Sequence, residues 1–408
     1  MTDSIFLITA EPLCLLKSES TLIFLVPAFC SVGMFVDNVL IIPSSIQFLD
    51  SLQLKETDNY LDAVFQKTWK RNLEKKWLKM MDMFDIKSLA GFLVELAERD
   101  EFSGAVLVAK DNEEIFKEAY GYASIRYRIR NETDTRFNLG SINKIFTRTA
   151  IQQLAEQGKL KPKDLVGRFL PDFPDEIAKK VTINHLLTFT SGMGHYWNDK
   201  FVMKMANLRS VDDFISLFID DPLSFKPGTK EQYSNSGYVV LGKIIERISG
   251  MSYYDYVREN IYKPAGMMSS DHYERDDPAA VFATGYTRIG PNGQMDKTVP
   301  RRENILQIGS KGSPAGGGYS NVDDMLRFNR ALQNHELVSP EFAEIGKRKR
   351  PEGVPSLSMT MIAGGASGVS AFLINYIEQG YTAIILSNYD PEDTQVVEKK
   401  ITEMVCQA

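Results

Sequence analysis

The spacing of apolar and polar positions divides the chain into three zones. Residues 1–50 are apolar and irregular, with a charge-free run at 21–36, TLIFLVPAFCSVGMFV, that continues through Val39 to Ile42. In residues 51–84, Trp69, Leu73 and Trp77 recur every four positions among Lys70, Lys75, Lys76 and Lys79. That period predicts a basic amphipathic helix over about 66–84. From Ile86 the pattern becomes regular. IKSLAGFLVELAER predicts another amphipathic helix. SGAVLVAKD and EEIFKEAYGYA, separated at Lys110-Asp111-Asn112, predict a β-hairpin. Residues 141–158 have a helical period. Residues 160–270 are helices and loops, among them INHLLTFTSG and SGYVVLGKIIERISG. VSAFLINYIEQG and GYTAIILSNYD predict a second hairpin turning at Glu378-Gln379-Gly380, and a last helix spans 391–405. The order is helix, hairpin, helical middle, hairpin, helix. It predicts an α+β domain over 85–408, in which strands from both ends share one antiparallel sheet. Terminal helices cover a face, and the middle forms a helical lobe. Residues 1–84 read as an N-terminal extension.

Composition narrows the chemistry. The 408 residues are 43% hydrophobic and 25% charged, enough for a sizeable core. A net charge of −6 argues against a nucleic-acid partner, which requires a concentrated basic surface. The three cysteines, Cys14, Cys30 and Cys406, form no CxxC, and the four histidines, His185, His195, His272 and His335, form no HExxH. No metal and no cofactor are expected. The charge-free run at 21–36 falls short of the roughly twenty apolar residues that span a bilayer, Pro27 interrupts it, and Asp37-Asn38 separate it from Val39 to Ile42. Weak membrane association or export through this run is one expectation. A plain apolar extension on a cytoplasmic protein is the other. The basic helix reads either as interfacial or as packed on its neighbour.

The candidate chemistry is Ser141-Ile142-Asn143-Lys144, the one S-x-x-K in the chain. Residues three apart on a helix share a face, so a Ser hydroxyl and a Lys amine can meet. A serine needs a base to attack at neutral pH, and a lysine serves once burial lowers its pKa. A helix start also presents free backbone N–H groups to an oxyanion. Three Y-x-N triplets could complete such a site: Tyr196-Trp197-Asn198, Tyr233-Ser234-Asn235 and Tyr319-Ser320-Asn321. Their spacing alone does not choose among them. His185 is a further candidate base, although buried histidines are more often structural. No G-x-S-x-G elbow occurs.

The stretch RFNLGSINKIFTRTAIQQLAEQGKLKPKDLVGRFLPDFP resembles the nucleophile region of class C β-lactamases and the related DD-peptidases and esterases. The likeness continues through VTINHLLTFTSGMG, FKPGTKEQYSNSGYVVLGKIIERISG, SPAGGGYSNVDDMLRFNRAL and GGASGVSAFLINYIEQGYTAIILSNYD. It implies a β-lactamase/transpeptidase-like fold. It also implies Ser141 as nucleophile, with Lys144 and Tyr233 moving protons and a phenolate on Tyr233 stabilised by the ammonium. The family's Y-x-N follows a PGT-like turn, which selects Tyr233 and Asn235, with Asn235 positioning Lys144 or the acyl side chain. Tyr319 then falls in a structural turn near the site, and Tyr196 lines the cleft or packs in the lobe. In the third motif, where the family carries K-T-G, H-x-G or W-x-G, this chain has Ile362 at the Lys/His position and Gly364 at the glycine. An aliphatic side chain donates no hydrogen bond. Gly364 still lets substrate backbone approach, and the Gly365 N–H can pair with that of Ser141 as an oxyanion hole. A second departure is the short KRKRPEGVPSLSMTMIAGG, which supplies one strand at most. Two functional readings follow. One is a serine hydrolase acting through an acyl-enzyme on small-molecule or peptide-like esters and amides, with weak or absent β-lactamase activity. The other is a catalytically impaired relative that binds a ligand or partner.

Overall fold

The computed structural model describes residues 85–407 apart from 279–280, 291–292 and 348–358, together with the backbone of five short strands between residues 6 and 41. The chain divides into two compact units, residues 1–79 and 80–408. In the first, strands Phe6–Ala10, Leu13–Lys17, Leu22–Leu25, Val39–Ile41 and Met34–Val36 lie side by side in that order. The weak membrane association expected of residues 21–42 finds no support. The described stretches of that run are short strands, and no helix among the described residues is long and apolar enough to cross a membrane. The expected basic helix at 66–84 lies outside the described residues.

In the second unit, helix α1 (Ile86–Glu98) starts where Asp85 accepts a hydrogen bond from the Ser88 N–H at 2.9 Å. Its Leu89, Leu93 and Leu96 form the buried stripe predicted from the period. Strands β1 (Gly104–Lys110) and β2 (Glu113–Tyr120) pair antiparallel across Asp111 and Asn112. Both turn residues have positive φ, 50° and 66°, as a two-residue turn matched to strand twist requires. Strands β3 (Met359–Ala366), β4 (Val369–Tyr376) and β5 (Tyr381–Ser387) follow, and the sheet order is β3-β4-β5-β1-β2, every pair antiparallel. The β5–β1 pairing joins the two ends of the domain, as the element order predicted. Among the described residues the short segment before the third motif supplies the single strand β3, which is an edge of the sheet.

Burial explains the near-continuous apolar runs. Val106 and Val108 of β1 pack with α1 and with Val397, Ile401 and Val405 of the last helix (Pro391–Gln407). Ala105, Leu107 and Ala109 face the opposite way, into the core built around the helical lobe. Both sheet faces are therefore covered, giving layers of terminal helices, sheet and lobe. The lobe centres on helix α2 (Lys144–Glu156), helix α3 (Ser236–Ser249) and helix α4 (Val322–Gln333). The C-terminal helix is α5.

Candidate active site

The site begins at a tight turn. Gly140–Asn143 forms a 3-10 turn that runs directly into α2 at Lys144. Gly140 adopts φ +50°, and its N–H donates to Asn138 Oδ1 at 2.9 Å. The Leu139 N–H donates to the Gly318 carbonyl at 2.8 Å. Side chains three apart eclipse in a 3-10 turn. Ser141 and Lys144 accordingly meet, with 3.3 Å between Oγ and Nζ.

Lys144 is buried, and its Nζ also donates to Asn235 Oδ1 at 2.7 Å and to the Ala315 carbonyl at 2.5 Å. None of these partners is a carboxylate. Burial pushes the Lys144 amine well below its usual pKa. Tyr233 donates to Ser141 Oγ at 2.6 Å, and Lys144 Nζ lies 4.7 Å from the centre of the Tyr233 ring. Ser234, between Tyr233 and Asn235, is turned the other way. Its hydroxyl donates to the Gly194 carbonyl and accepts from the Gly237 N–H, both at 2.9 Å, at the start of α3. The alternation thus sends Tyr233 and Asn235 to Lys144 while Ser234 anchors the turn. Burial raises the Tyr233 pKa, partly offset by its hydrogen bond to Ser141. Burial therefore disfavours the charged form of both groups, the ammonium of Lys144 and the phenolate of Tyr233.

The edge strand β3 closes the other side. A Cβ on Gly364 would stand 2.0 Å from the Leu139 carbonyl oxygen and 2.7 Å from the Ser141 nitrogen. A Cβ on Gly140 would stand 2.8 Å from the Gly365 nitrogen. Backbone therefore meets backbone between Gly140-Ser141 and Gly364-Gly365, and a side chain at Gly140 or Gly364 would collide with it. Ile362 lies two residues before Gly364, on the same face of the strand, half-buried against the lobe core.

A Beta-lactamase family model matches residues 89–403. The chain belongs to the β-lactamase family. A penicillin-binding protein of Bacillus subtilis (strain 168) is 31% identical over 335 residues, covering 76% of this chain and 73% of that protein. A putative D-alanyl-D-alanine carboxypeptidase of Salmonella typhimurium is 32% identical over 334 residues, covering 70% and 75%. The crystal structure of a penicillin-binding protein from Bacillus halodurans superposes with TM-score 0.66 at 29% identity, covering 76% of this chain and 98% of the other. The fold is the β-lactamase/transpeptidase-like α+β fold, in a family of serine hydrolases.

Within this β-lactamase-family site, the remaining sequence candidates have structural positions. Tyr196 is buried, with its OH 3.0 Å from Ser313 Oγ, and Asn198 caps the short helix Asp199–Lys204. Tyr319 pairs with Asn138 beside the nucleophile turn, and Asn321 caps α4. His185 closes a capping box with Thr182 at the start of the short helix Ile183–Leu187. Two contributors escaped the sequence reading. The Ala315 carbonyl that accepts from Lys144 lies in SPAGGGYS, which the motif reading took only as a nearby turn. His195, whose ring centre is 5.8 Å from that of Tyr233, carried no motif; burial first, and then the neighbouring Lys144, hold it below the usual imidazole pKa. Among the described residues no group of His, Cys, Asp or Glu could hold a metal ion.

Proposed function

We propose that the protein is a serine hydrolase that works through an acyl-enzyme on ester or amide, peptide-like substrates. The observation that carries this reading is the contact set of Ser141 Oγ, 2.6 Å from the Tyr233 hydroxyl and 3.3 Å from a buried amine without a carboxylate partner. A neutral amine has two N–H donors and one lone pair. Asn235 Oδ1 and the Ala315 carbonyl take the donors, so the lone pair is left for the Ser141 proton. Ser141 Oγ then attacks the acyl carbon as its proton passes to Lys144 Nζ. The backbone N–H groups of Ser141 and Gly365 hold the oxyanion. As the C–O or C–N bond breaks, the Tyr233 phenol protonates the leaving group and regains a proton from the Lys144 ammonium. Water attacks the acyl-enzyme, gives its proton to the same pair, and returns Ser141 to its hydroxyl form.

The strand wall and the relatives support the proposed substrate class. One relative is a putative D-alanyl-D-alanine carboxypeptidase, and a D-amino acid amidase shares the fold. Both concern amide bonds. Ile362 offers no donor to a substrate carboxylate, so an esterase or carboxypeptidase-like activity on substrates without that requirement fits better than penicillin hydrolysis. Ile362 is also the observation that favours a ligand-binding, catalytically impaired protein. Incubation with a fluorophosphonate probe followed by mass spectrometry separates the two readings. An adduct on Ser141 that is absent from Ser141→Ala supports the hydrolase. A folded protein that takes no adduct and turns over no p-nitrophenyl ester sinks it.

A further inference from the structure

Strand β3 would contribute the Gly365 donor, and the turn that ends β3 is fastened from two sides by residues far away in the chain. The turn is Ser367-Gly368, with Gly368 at φ +66°. On one side the Asn304 side-chain amide donates to the Ser367 carbonyl at 2.7 Å. On the other the Gly368 N–H donates to Asp390 Oδ1 at 2.7 Å. Both side chains are buried, Asn304 at 1% and Asp390 at 0% exposure. Asp390 is held in turn. Its Oδ2 accepts from the Arg288 N–H at 2.8 Å and lies 3.8 Å from Arg301 Nη1. Arg301 is itself buried, paired with Asp393 at 3.0 Å and laid over the Tyr389 ring at 3.6 Å. The turn has no room to shift inward. A Cβ on Gly368 would stand 2.7 Å from the Tyr286 nitrogen, and one on Gly365 would stand 2.8 Å from Pro391, the residue after Asp390.

We infer that Asn304 and Asp390 are positioning residues that act through the Ser367-Gly368 turn to fix the Gly365 N–H opposite Ser141. This rests on the serine-hydrolase reading above. A turn peptide caught at both its carbonyl and the following N–H can neither rotate nor slide along the strand. Three residues on, Gly365 inherits that fixity. Oxyanion stabilisation depends on such preorganised donors, and displacing one by about 1 Å costs on the order of 100-fold in rate. A hydrogen bond to a buried carboxylate or amide is one way to hold that tolerance on an edge strand, which has a neighbouring strand on one side only.

The test compares an ester with its thiono counterpart, whose sulfur gains less from oxyanion donors. Purified full-length protein, Asn304→Ser and Asp390→Asn are each assayed on both esters, with thermal melting as the check on folding. The serine side chain is too short to reach the Ser367 carbonyl but keeps a small polar group, so one variant survives if the buried carboxylate change proves disruptive. The expected result is a fall in kcat on the oxo ester of about 100-fold, KM little changed, and a smaller fall on the thiono ester. The oxo-over-thiono preference therefore narrows. Folded variants that keep the wild-type preference overturn the inference, whatever their melting temperature. Wild-type protein that neither hydrolyses the oxo ester nor takes a fluorophosphonate on Ser141 overturns the hydrolase reading, and the inference with it.

Discussion

The two walls of the cleft are built on opposite principles. The lobe wall is a set of side chains: Ser141, Lys144, Tyr233 and Asn235 joined by hydrogen bonds of 2.6–3.3 Å. The strand wall meets Ser141 with backbone alone, at Gly364 and Gly365, and its nearest side chain on that face is the aliphatic Ile362. A side chain that accepts or donates a proton cannot be replaced without changing the reaction. A strand that contributes N–H groups tolerates a different side chain two residues away, because the strand's path is unaltered. On the proposed mechanism the lobe wall carries the reaction, and the strand wall is free to change what is recognised. If Ile362 and Gly364 hold the third motif, as the resemblance implies, that motif is altered at the position that can vary and kept at the glycine that the close backbone approach requires.

The largest expected effect comes from the lobe wall. Ser141→Ala removes the nucleophile and should lower ester turnover by about 10⁴-fold or more, leaving only what the oxyanion donors supply. Ester hydrolysis and probe labelling measure it together. Turnover persisting in Ser141→Ala would remove the distinction between the walls altogether.

Next in size is Lys144→Met, expected to cost about 10³-fold through loss of the base. The pH profile sharpens the point. On the proposed mechanism the reactive form is the amine, so wild-type kcat/KM should fall as pH drops through the lowered Lys144 pKa. It should fall again where Tyr233 ionises, above its ordinary value of about 10. The same shift bears on stability. Between the folded and unfolded pKa of Lys144 the unfolded chain binds a proton that the folded chain does not, so stability rises with pH across that window. The cost is fully present below the folded value. Chemical denaturation of Lys144→Met at several pH values should show a flatter dependence there. An unchanged slope would mean that Lys144 rests as an ammonium.

Tyr233→Phe separates the two proton carriers. The phenol serves the leaving group, so the loss should be about 100-fold for an amide or alkyl ester and smaller for a p-nitrophenyl ester, whose departure needs little acid. Equal losses on both would place Tyr233 with Lys144 at the attack step.

Much of this was legible in the sequence, for a physical reason. Ser141 and Lys144 are three apart on a turn, so local geometry joins them once the turn forms, whereas Tyr233 and Asn235 come from far along the chain and only the family resemblance selected them among three Y-x-N triplets. The hairpins were equally local: Asp111 and Asn112 tolerate positive φ, and the apolar runs of β1 and β5 report burial on two faces. The Ala315 carbonyl was not legible as a Lys144 acceptor, because a backbone oxygen has no side-chain signature and its approach depends on how the SPAGGGYS turn packs. Asn304 and Asp390 escaped for the opposite reason. Each is an ordinary polar residue in sequence, and only the β4–β5 pairing, which sets Ser387 beside Ser370, and the approach of Asn304 to Gly285 bring both to one turn.

The smallest effect tests the strand wall by itself. Ile362→Lys replaces an aliphatic group by a cation on the face that carries Gly364, and its stem can lie along the lobe core as Ile362 does, with the ammonium toward water. For a neutral ester the change should be slight, since neither the nucleophile nor the backbone donors move. For an otherwise matched substrate bearing a carboxylate on its leaving side, kcat/KM should rise by about tenfold, the size of one charge-assisted hydrogen bond of roughly 1.5 kcal/mol. The gain should appear in KM and shrink with added salt. A chromogenic cephalosporin should likewise become a better substrate than it is for wild type. If Ile362→Lys instead lowered turnover of both esters alike, the side chain at this position would be part of the strand's support, and recognition would have to be sought on the lobe side, where the His195 and Tyr233 rings lie 5.8 Å apart.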